Sequence, residues 1–175
     1  FKDLITLLVL IVILVFIVMA AQFESLTYPF VIMFSIPFAL VGVLLGLVVT
    51  GTPMGIMAMV GLLMLLGIVV KDGIVLIDYT ILCRERGMGI LQSVVTAGKS
   101  RLRPVLMTTL TTVLGMVPMA VGTGTGSELW KSMGMTVAWG LSVSTLITLV
   151  IVPTLYAVFA GVGIKKNRKK IAKLY

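Results

Sequence analysis

Apolar residues run through this chain in blocks close to the length of a bilayer crossing. Leu4–Ala21 is apolar throughout except for Thr6, a second block runs from about Phe30 to Val49, and Met54–Val70 is uncharged over seventeen residues. A fourth block opens at Pro104, and Ser132–Ile164 carries no charge at all. About 20 mostly apolar residues suffice for a transmembrane helix, so the spacing predicts an all-α membrane protein with five spans. Composition agrees: 59% of the 175 residues are hydrophobic and 11% charged, against about 45–50% and 25% in a soluble domain. A water-facing globule is excluded, and little chain is left over for a soluble catalytic lobe.

The expected spans are 4–21, 30–49, 54–82, 104–122 and 132–160. Gln22-Phe23-Glu24-Ser25 ends the first. Pro29 opens the second, and Pro37 inside it should kink the helix and free a carbonyl. Gly42 and Gly46 form a small-xxx-small pair on that span, a pattern that lets another helix approach closely. Thr50-Gly51-Thr52-Pro53 is a tight turn. Between the third and fourth spans, Ile90, Leu91, Val94 and Val95 recur at helical spacing and Lys99, Arg101 and Arg103 gather behind them. That pattern predicts a short amphipathic helix over about 88–100, lying on the cytoplasmic membrane surface. Pro104 then takes the first helical position of the fourth span, where its missing N–H is harmless. Pro118 and the turn Gly122-Thr123-Gly124-Thr125-Gly126 close that span, and Pro153 interrupts the fifth. A basic tail fills 165–175. The chain opens Phe1-Lys2-Asp3 with no signal-peptide pattern, and is read as a piece of a longer polypeptide.

Charge fixes an expected orientation. Five Lys or Arg (Arg84, Arg86, Lys99, Arg101, Arg103) lie between spans three and four and six more lie in the tail, while the opposite side has only Lys2 and Lys131. Eleven against two assigns the first side, and with it the C-terminus, to the cytoplasm. The net charge of +8 therefore concerns topology and anionic lipid rather than nucleic acid. One Cys, Cys83, and no His leave no disulfide framework and no metal-ligand set. The twelve methionines read as adaptable packing. No paired carboxylates or activated nucleophile suggest an enzyme, and no cofactor motif is present.

Lys71 is the informative residue. It follows the uncharged run and lies thirteen residues before Arg84, roughly 20 Å of helix at about 1.5 Å per residue. Snorkelling could carry its ammonium to an interface, but helical side chains lean toward the N-terminus, here toward the more distant face. A charge at that depth costs about 2.5–3.5 kcal/mol and signals a paired, functional group. Asp72 is its neighbour, yet successive helical side chains point about 100° apart; Asp78 shares its face but is seven residues on, about 10 Å away. The cation thus requires a carboxylate on a helix that this chain does not contain. Thr108, Thr109, Thr111 and Thr112 form a polar stripe on the fourth span. Threonines in helices commonly bond their own carbonyls, but Thr108 lies seven residues from Arg101 and so on the same face. Hydroxyls and cations on facing helices are components of a proton relay.

Gly67-Ile-Val-Val-Lys71-Asp-Gly-Ile-Val-Leu-Ile-Asp78-Tyr79, Arg101-Leu-Arg-Pro-Val-Leu-Met-Thr108, and Gly115-Met-Val-Pro118 with Gly122–Gly126 together resemble resistance-nodulation-division efflux transporters, and within them the hydrophobe/amphiphile exporters, the multidrug pumps. Gln22-Phe-Glu24-Ser25 and Pro29-Phe30 resemble a helix join of that family. The resemblance covers essentially the whole chain and implies the last five of twelve helices, half of a transporter core of repeated architecture. It implies that Lys71 is the relay lysine, Arg101 the basic residue at the cytoplasmic end of the relay, and Thr108 the hydroxyl facing a central aspartate pair. That pair belongs to the absent N-terminal half. Asp72 departs from the family, where Asn is frequent; Asp72 and Asp78 complete the candidate set as acids on the lysine helix. The implied function is proton-antiport export of hydrophobic or amphiphilic compounds across a bacterial inner membrane. The implied partners are a homotrimer, a periplasmic adaptor and an outer-membrane channel. Two alternatives stand beside it: a metal-cation exporter of the same family, which tends to lack lysine at the position of Lys71, and a non-transporting, sterol-sensing-like scaffold in which Lys71 is a structural ion-pair partner.

Overall fold

A computed structural model describes residues 2–171, and the side-chain surroundings of residues 2–162. Among these the chain is helical between short connections, without strands: α1 Lys2–Phe23, α2 Thr27–Met33, α3 Ser35–Thr50, α4 Ile56–Glu85, α5 Ile90–Val121 and α6 Ser127–Ile171. Five stretches are long and apolar enough to cross a membrane, with α2 and α3 counting together as one. The basic tail lies outside the residues whose side chains are described.

Pro37 kinks its span as expected, while the other prolines act differently from their reading in sequence. The second span starts at Thr27, not at Pro29, and is divided at Phe34. Pro29 and Pro37 are the third residues of α2 and α3, where a missing N–H costs nothing. The ring of Pro37 opposes the carbonyl four residues back, at Met33, and there α2 ends. Phe34 keeps helical angles (φ −61, ψ −19) and Ser35 Oγ donates to Ile32 O at 2.6 Å, so the division is a kink rather than a turn. The fourth span does not begin at Pro104. Residues 90–121 form one helix that contains both Pro104 and Pro118, and the amphipathic segment expected separately over 88–100 runs into the span without a break. Ser100 and Pro104 are both exposed, so the carbonyl that Pro104 frees can be solvated. Pro153 likewise lies inside α6 without interrupting it.

The apolar stripe expected at the start of α5 is shared between the bundle, against which Val94 packs, and the outer surface. Leu91 is 73% exposed and Val95 48%, while the small residues Ser93 and Ala97 are buried. Small side chains let α5 close against α4, and the larger ones are left to the lipid side. A left-handed Gly87 (φ +88) and backbone bonds from Met88 N to Cys83 O and Gly87 N to Arg84 O make the reversal between the two helices. Gly87 is there because such a helix end needs positive φ.

α6 is the centre of the bundle and packs against α3, α4 and α5. Its contact with α3 runs through the Gly42/Gly46 pair: a Cβ on Gly42 would lie 2.8 Å from Val143 Cβ, and one on Gly46 would strike Trp139. Lipid tails are as apolar as leucine, so close van der Waals approach of this kind holds membrane helices together where water would not. Two apolar clusters fill the rest. One joins α3, α4 and α6 (Ala39, Val43, Leu62, Leu65, Leu141), and the other brings Met19 of α1 against α2, α4 and α6 through Ile32, Leu66, Val152 and Tyr156. Met19 is the sole buried residue of α1, and the helix otherwise rests on the bundle through the partly buried Leu8, Val12, Val15 and Phe23.

Candidate functional site

α4 exposes one stripe within an otherwise buried helix. Met64, Gly67, Lys71, Asp78 and Leu82 are exposed, at spacings of three, four and seven residues, whereas Val69, Val70, Asp72, Gly73, Leu76 and Ile77 are buried. Lys71 therefore leaves the bundle on one side of α4 while Asp72 turns into it, as their 100° separation requires. Asp72 is 7% exposed, and next to it Gly73 meets Ile32 of α2, to which a Cβ would come within 2.8 Å. Lys71 lines a cleft of about 260 Å³ between α4 and α1, whose other lining residues are the apolar Leu14, Val15, Val18, Met19, Gly67, Val70 and Ile74. Among the described residues neither Asp72, Asp78 nor any other acid forms an ion pair with Lys71.

Arg101 of α5 sits with its guanidinium carbon 4.5 Å from the centre of the Tyr79 ring on α4. Its Nε is buried without a hydrogen-bond partner. Arginine favours such a face because its planar, weakly hydrated cation stacks on the ring quadrupole. This contact sets the register of the two antiparallel helices. Seven residues from Tyr79 back along α4 is Asp72, and seven residues from Arg101 forward along α5 is Thr108, each about 10 Å of rise. Thr108 thus lies at the depth of Lys71 and Asp72, on an exposed face. Lys71 and Arg101, by contrast, are more than a helical turn apart in depth and do not touch.

The threonine stripe divides into two kinds. Thr108 Oγ1 donates to Val105 O at 2.9 Å, Thr111 Oγ1 to Met107 O at 2.8 Å and Thr112 Oγ1 to Thr108 O at 2.8 Å, all within their own helix. Thr109 is buried and reaches Thr145 of α6, with 3.2 Å between the hydroxyl oxygens. That interhelical pair and Tyr79 were missed in the sequence. Thr109 gives no signal beyond its place in the stripe, and Tyr79 none beyond being an aromatic residue near the basic end of α4. Below Thr145 the buried face of α6 continues with Ser144 and Thr148, whose hydroxyls have no partner among the described residues. No group of three or more His, Cys, Asp or Glu that could hold a metal ion occurs among the described residues.

The sequence profile of the AcrB/AcrD/AcrF family matches residues 2–160. Over 157 residues, 89% of the chain, it is 41% identical to the swarming motility protein SwrC of Bacillus subtilis (strain 168), and this covers 14% of that protein. A crystal structure of a heavy metal efflux pump superposes with a TM-score of 0.80 at 29% sequence identity, over 89% of this chain and 15% of that one. The chain thus spans about one seventh of the length of the proteins it matches.

Proposed function

Because the chain belongs to the AcrB/AcrD/AcrF family of resistance-nodulation-division efflux transporters, we propose that it supplies the lysine side of a proton relay driving export of hydrophobic or amphiphilic compounds. The observation that carries this reading is Lys71, exposed on a membrane-spanning helix in an apolar cleft and ion-paired to no acid among the described residues. Left to lipid, that ammonium costs about 2.5–3.5 kcal/mol. A carboxylate from the other half of the transporter removes the cost, and a proton arriving on that carboxylate restores it. Lys71 therefore converts a protonation event into a change in the free energy of the α4 interface. Thr108, at the same depth, offers a hydroxyl to the same carboxylates, and Arg101 closes the cytoplasmic end. Asp72, turned into the bundle, acts from behind α4 through the field it puts on Lys71, and Asp78 shares the exposed stripe nearer the cytoplasm.

Motion of α4 would not stay local. Its close packing against α6, and that of α6 against α3, make the three helices move as one, while Arg101 on Tyr79 carries α5 along. The positive-inside asymmetry supports a cytoplasmic C-terminus in a bacterial inner membrane. A homotrimer working with a periplasmic adaptor and an outer-membrane channel completes the proposed assembly. The choice of amphiphilic cargo over a metal ion rests on Lys71 and its motif; the heavy metal efflux pump shares the fold and supports export in general.

In the full-length transporter, Lys71→Ala is expected to abolish proton-dependent export of a lipophilic dye while the protein still inserts and assembles. Undiminished dye export sinks the relay assignment. Retained proton-driven export of divalent metal, with no dye transport in the unmodified protein, sinks the cargo assignment instead.

A further inference from the structure

A second polar site lies at the other end of the bundle from the α5–α6 turn, where the α1–α2 join, the end of α4 and the late part of α6 meet. A pocket of about 160 Å³ opens there. By the volume of liquid water, about 30 Å³ per molecule, it has room on the order of five waters. Its polar lining comes from Ser25, Thr27, Tyr28, Arg84 and Tyr156, a set of hydroxyls around one guanidinium with no carboxylate among them. Glu24 and Glu85 are adjacent in sequence but exposed and outside the lining.

Two further observations point to a ligand. Tyr156 is 2% exposed, and its buried hydroxyl approaches Arg84 and Tyr28 without completing a well-formed hydrogen bond to either. Its ring is stacked on Tyr28, with centroids 5.6 Å apart and planes 22° off parallel, so the hydroxyl is held in place rather than free to turn toward solvent. A buried hydroxyl left with incomplete bonds beside a guanidinium is suited to a further acceptor that both can share. The pocket also adjoins an exposed aromatic ridge, in which Phe30 packs edge-on against Phe34 and Phe159, at 5.4 and 6.2 Å, and Phe159 lines the pocket itself.

We propose that this pocket binds the phosphate of an anionic phospholipid, with Arg84 and the Tyr156 hydroxyl as its principal contacts and the Phe30–Phe159 ridge lying along an acyl chain. A guanidinium ringed by hydroxyls suits a tetrahedral oxyanion. Tyrosine and arginine at helix ends sit at headgroup depth, and an apolar ridge leading away from the anion pocket fits a lipid rather than a free ion. Under the orientation proposed above, this is the cytoplasmic leaflet. The site shares no residue with the relay set, so either reading can fail alone.

The test uses the full-length transporter, stripped of lipid in detergent and titrated with phosphatidylglycerol while native mass spectrometry follows the tightest-bound lipid. Arg84→Gln is expected to weaken that binding about tenfold or more and Tyr156→Phe severalfold, since bonds to a charged partner are the stronger class. Arg86→Gln, an exposed cation two residues away and outside the pocket, is expected to stay within about twofold. Equal binding by Arg84→Gln and Arg86→Gln overturns the proposal. Inorganic phosphate that displaces the lipid at matched concentration overturns the lipid assignment in favour of a soluble anion. Should Arg84→Gln fail to fold, Tyr156→Phe, which keeps the ring and its stack, decides alone, and unchanged lipid binding there overturns the site.

Discussion

Replacing Gly46 by alanine adds one methyl group at the point where α3 and α6 come closest. That Cβ would fall on Cβ and Cγ of Trp139. Trp139 Cβ is bonded directly to the α6 backbone, so no rotamer of the tryptophan clears the space and the helices must separate, on the order of 1 Å to restore contact distance. A gap of that size forfeits about a quarter to a half of the attraction along the seam, and overpacking of this type costs about 1–3 kcal/mol. Against it stands the better helix propensity of alanine, about 0.8–1 kcal/mol. Because the clash involves a Cβ that cannot move, the upper part of the overpacking range applies, and the net expectation is a loss approaching roughly 2 kcal/mol, up to about a thirtyfold shift toward the unfolded form. Gly140→Ala is the informative comparison. Its Cβ would also meet side chains too closely, but one is Leu65 Cδ2, a flexible end that can swing aside for about 0.5–1.5 kcal/mol, and the other, Val43 Cγ2 at 2.7 Å, is stiff at χ1 yet needs a smaller shift than Trp139 Cβ. The propensity gain nearly offsets that, so Gly140→Ala should lie close to the unmodified protein. Reversible unfolding of the full-length transporter in mixed micelles, followed by tryptophan fluorescence, ranks the two. If Gly46→Ala is as stable as the parent, or Gly140→Ala is the more damaging, the close-packed α3–α6 seam is wrong.

Thr109→Val removes the hydroxyl bonded to Thr145 while keeping the shape. Interhelical bonds in membranes average about 0.6 kcal/mol and reach about 1.7, so the same unfolding assay should register less than about 1 kcal/mol, and a loss above about 2 kcal/mol means that the pair does more than join two helices. Tyr79→Leu takes the ring from under Arg101 and should cost about 0.5–2 kcal/mol, whereas Tyr79→Phe keeps the ring and should be nearly silent; equal effects of the two would remove the cation–π contact as the tie between α4 and α5.

The number of spans was legible because hydropathy over about twenty residues is a property of composition, averaged over many side chains. Boundaries were less so, and the errors have one physical source. Pro104, Pro118 and Pro153 were read as helix starts, ends or interruptions, yet all three lie inside continuous helices. Sequence gives the lost N–H of a proline but not who satisfies the freed carbonyl, and in a bundle neighbours, hydroxyls or solvent often do. Pro37 did break its span, and the kink appears upstream of it because the clash is with the carbonyl four residues back. Gly42 and Gly46 announced a close approach, although only packing could say that α6 is what approaches. Within the candidate site, Lys71 was legible from charge alone. The Arg101–Tyr79 contact was not, because it depends on the register between two helices, which no single-helix pattern encodes.

That register bears on how the proposed relay is coupled to the rest of the chain. The buried side of α4 is packed through Gly61, where a Cβ would lie 3.1 Å from Met133 O, and through Gly73, against Ile32, while its exposed side carries Lys71 and Asp78. Side chains that cost free energy to expose and backbones that cannot give way are thus set on opposite faces of one helix. A change in charge state on the open face cannot be absorbed by sliding α4 alone, because its glycines leave no slack toward α6 and α2. It must either be borne as strain or shift α3, α4 and α6 together, and α1, in which Met19 alone is fully buried, offers the least resistance to that shift. A relay placed on a loosely packed helix would dissipate the same few kcal/mol in local side-chain motion; on this one, the free energy is delivered to the bundle.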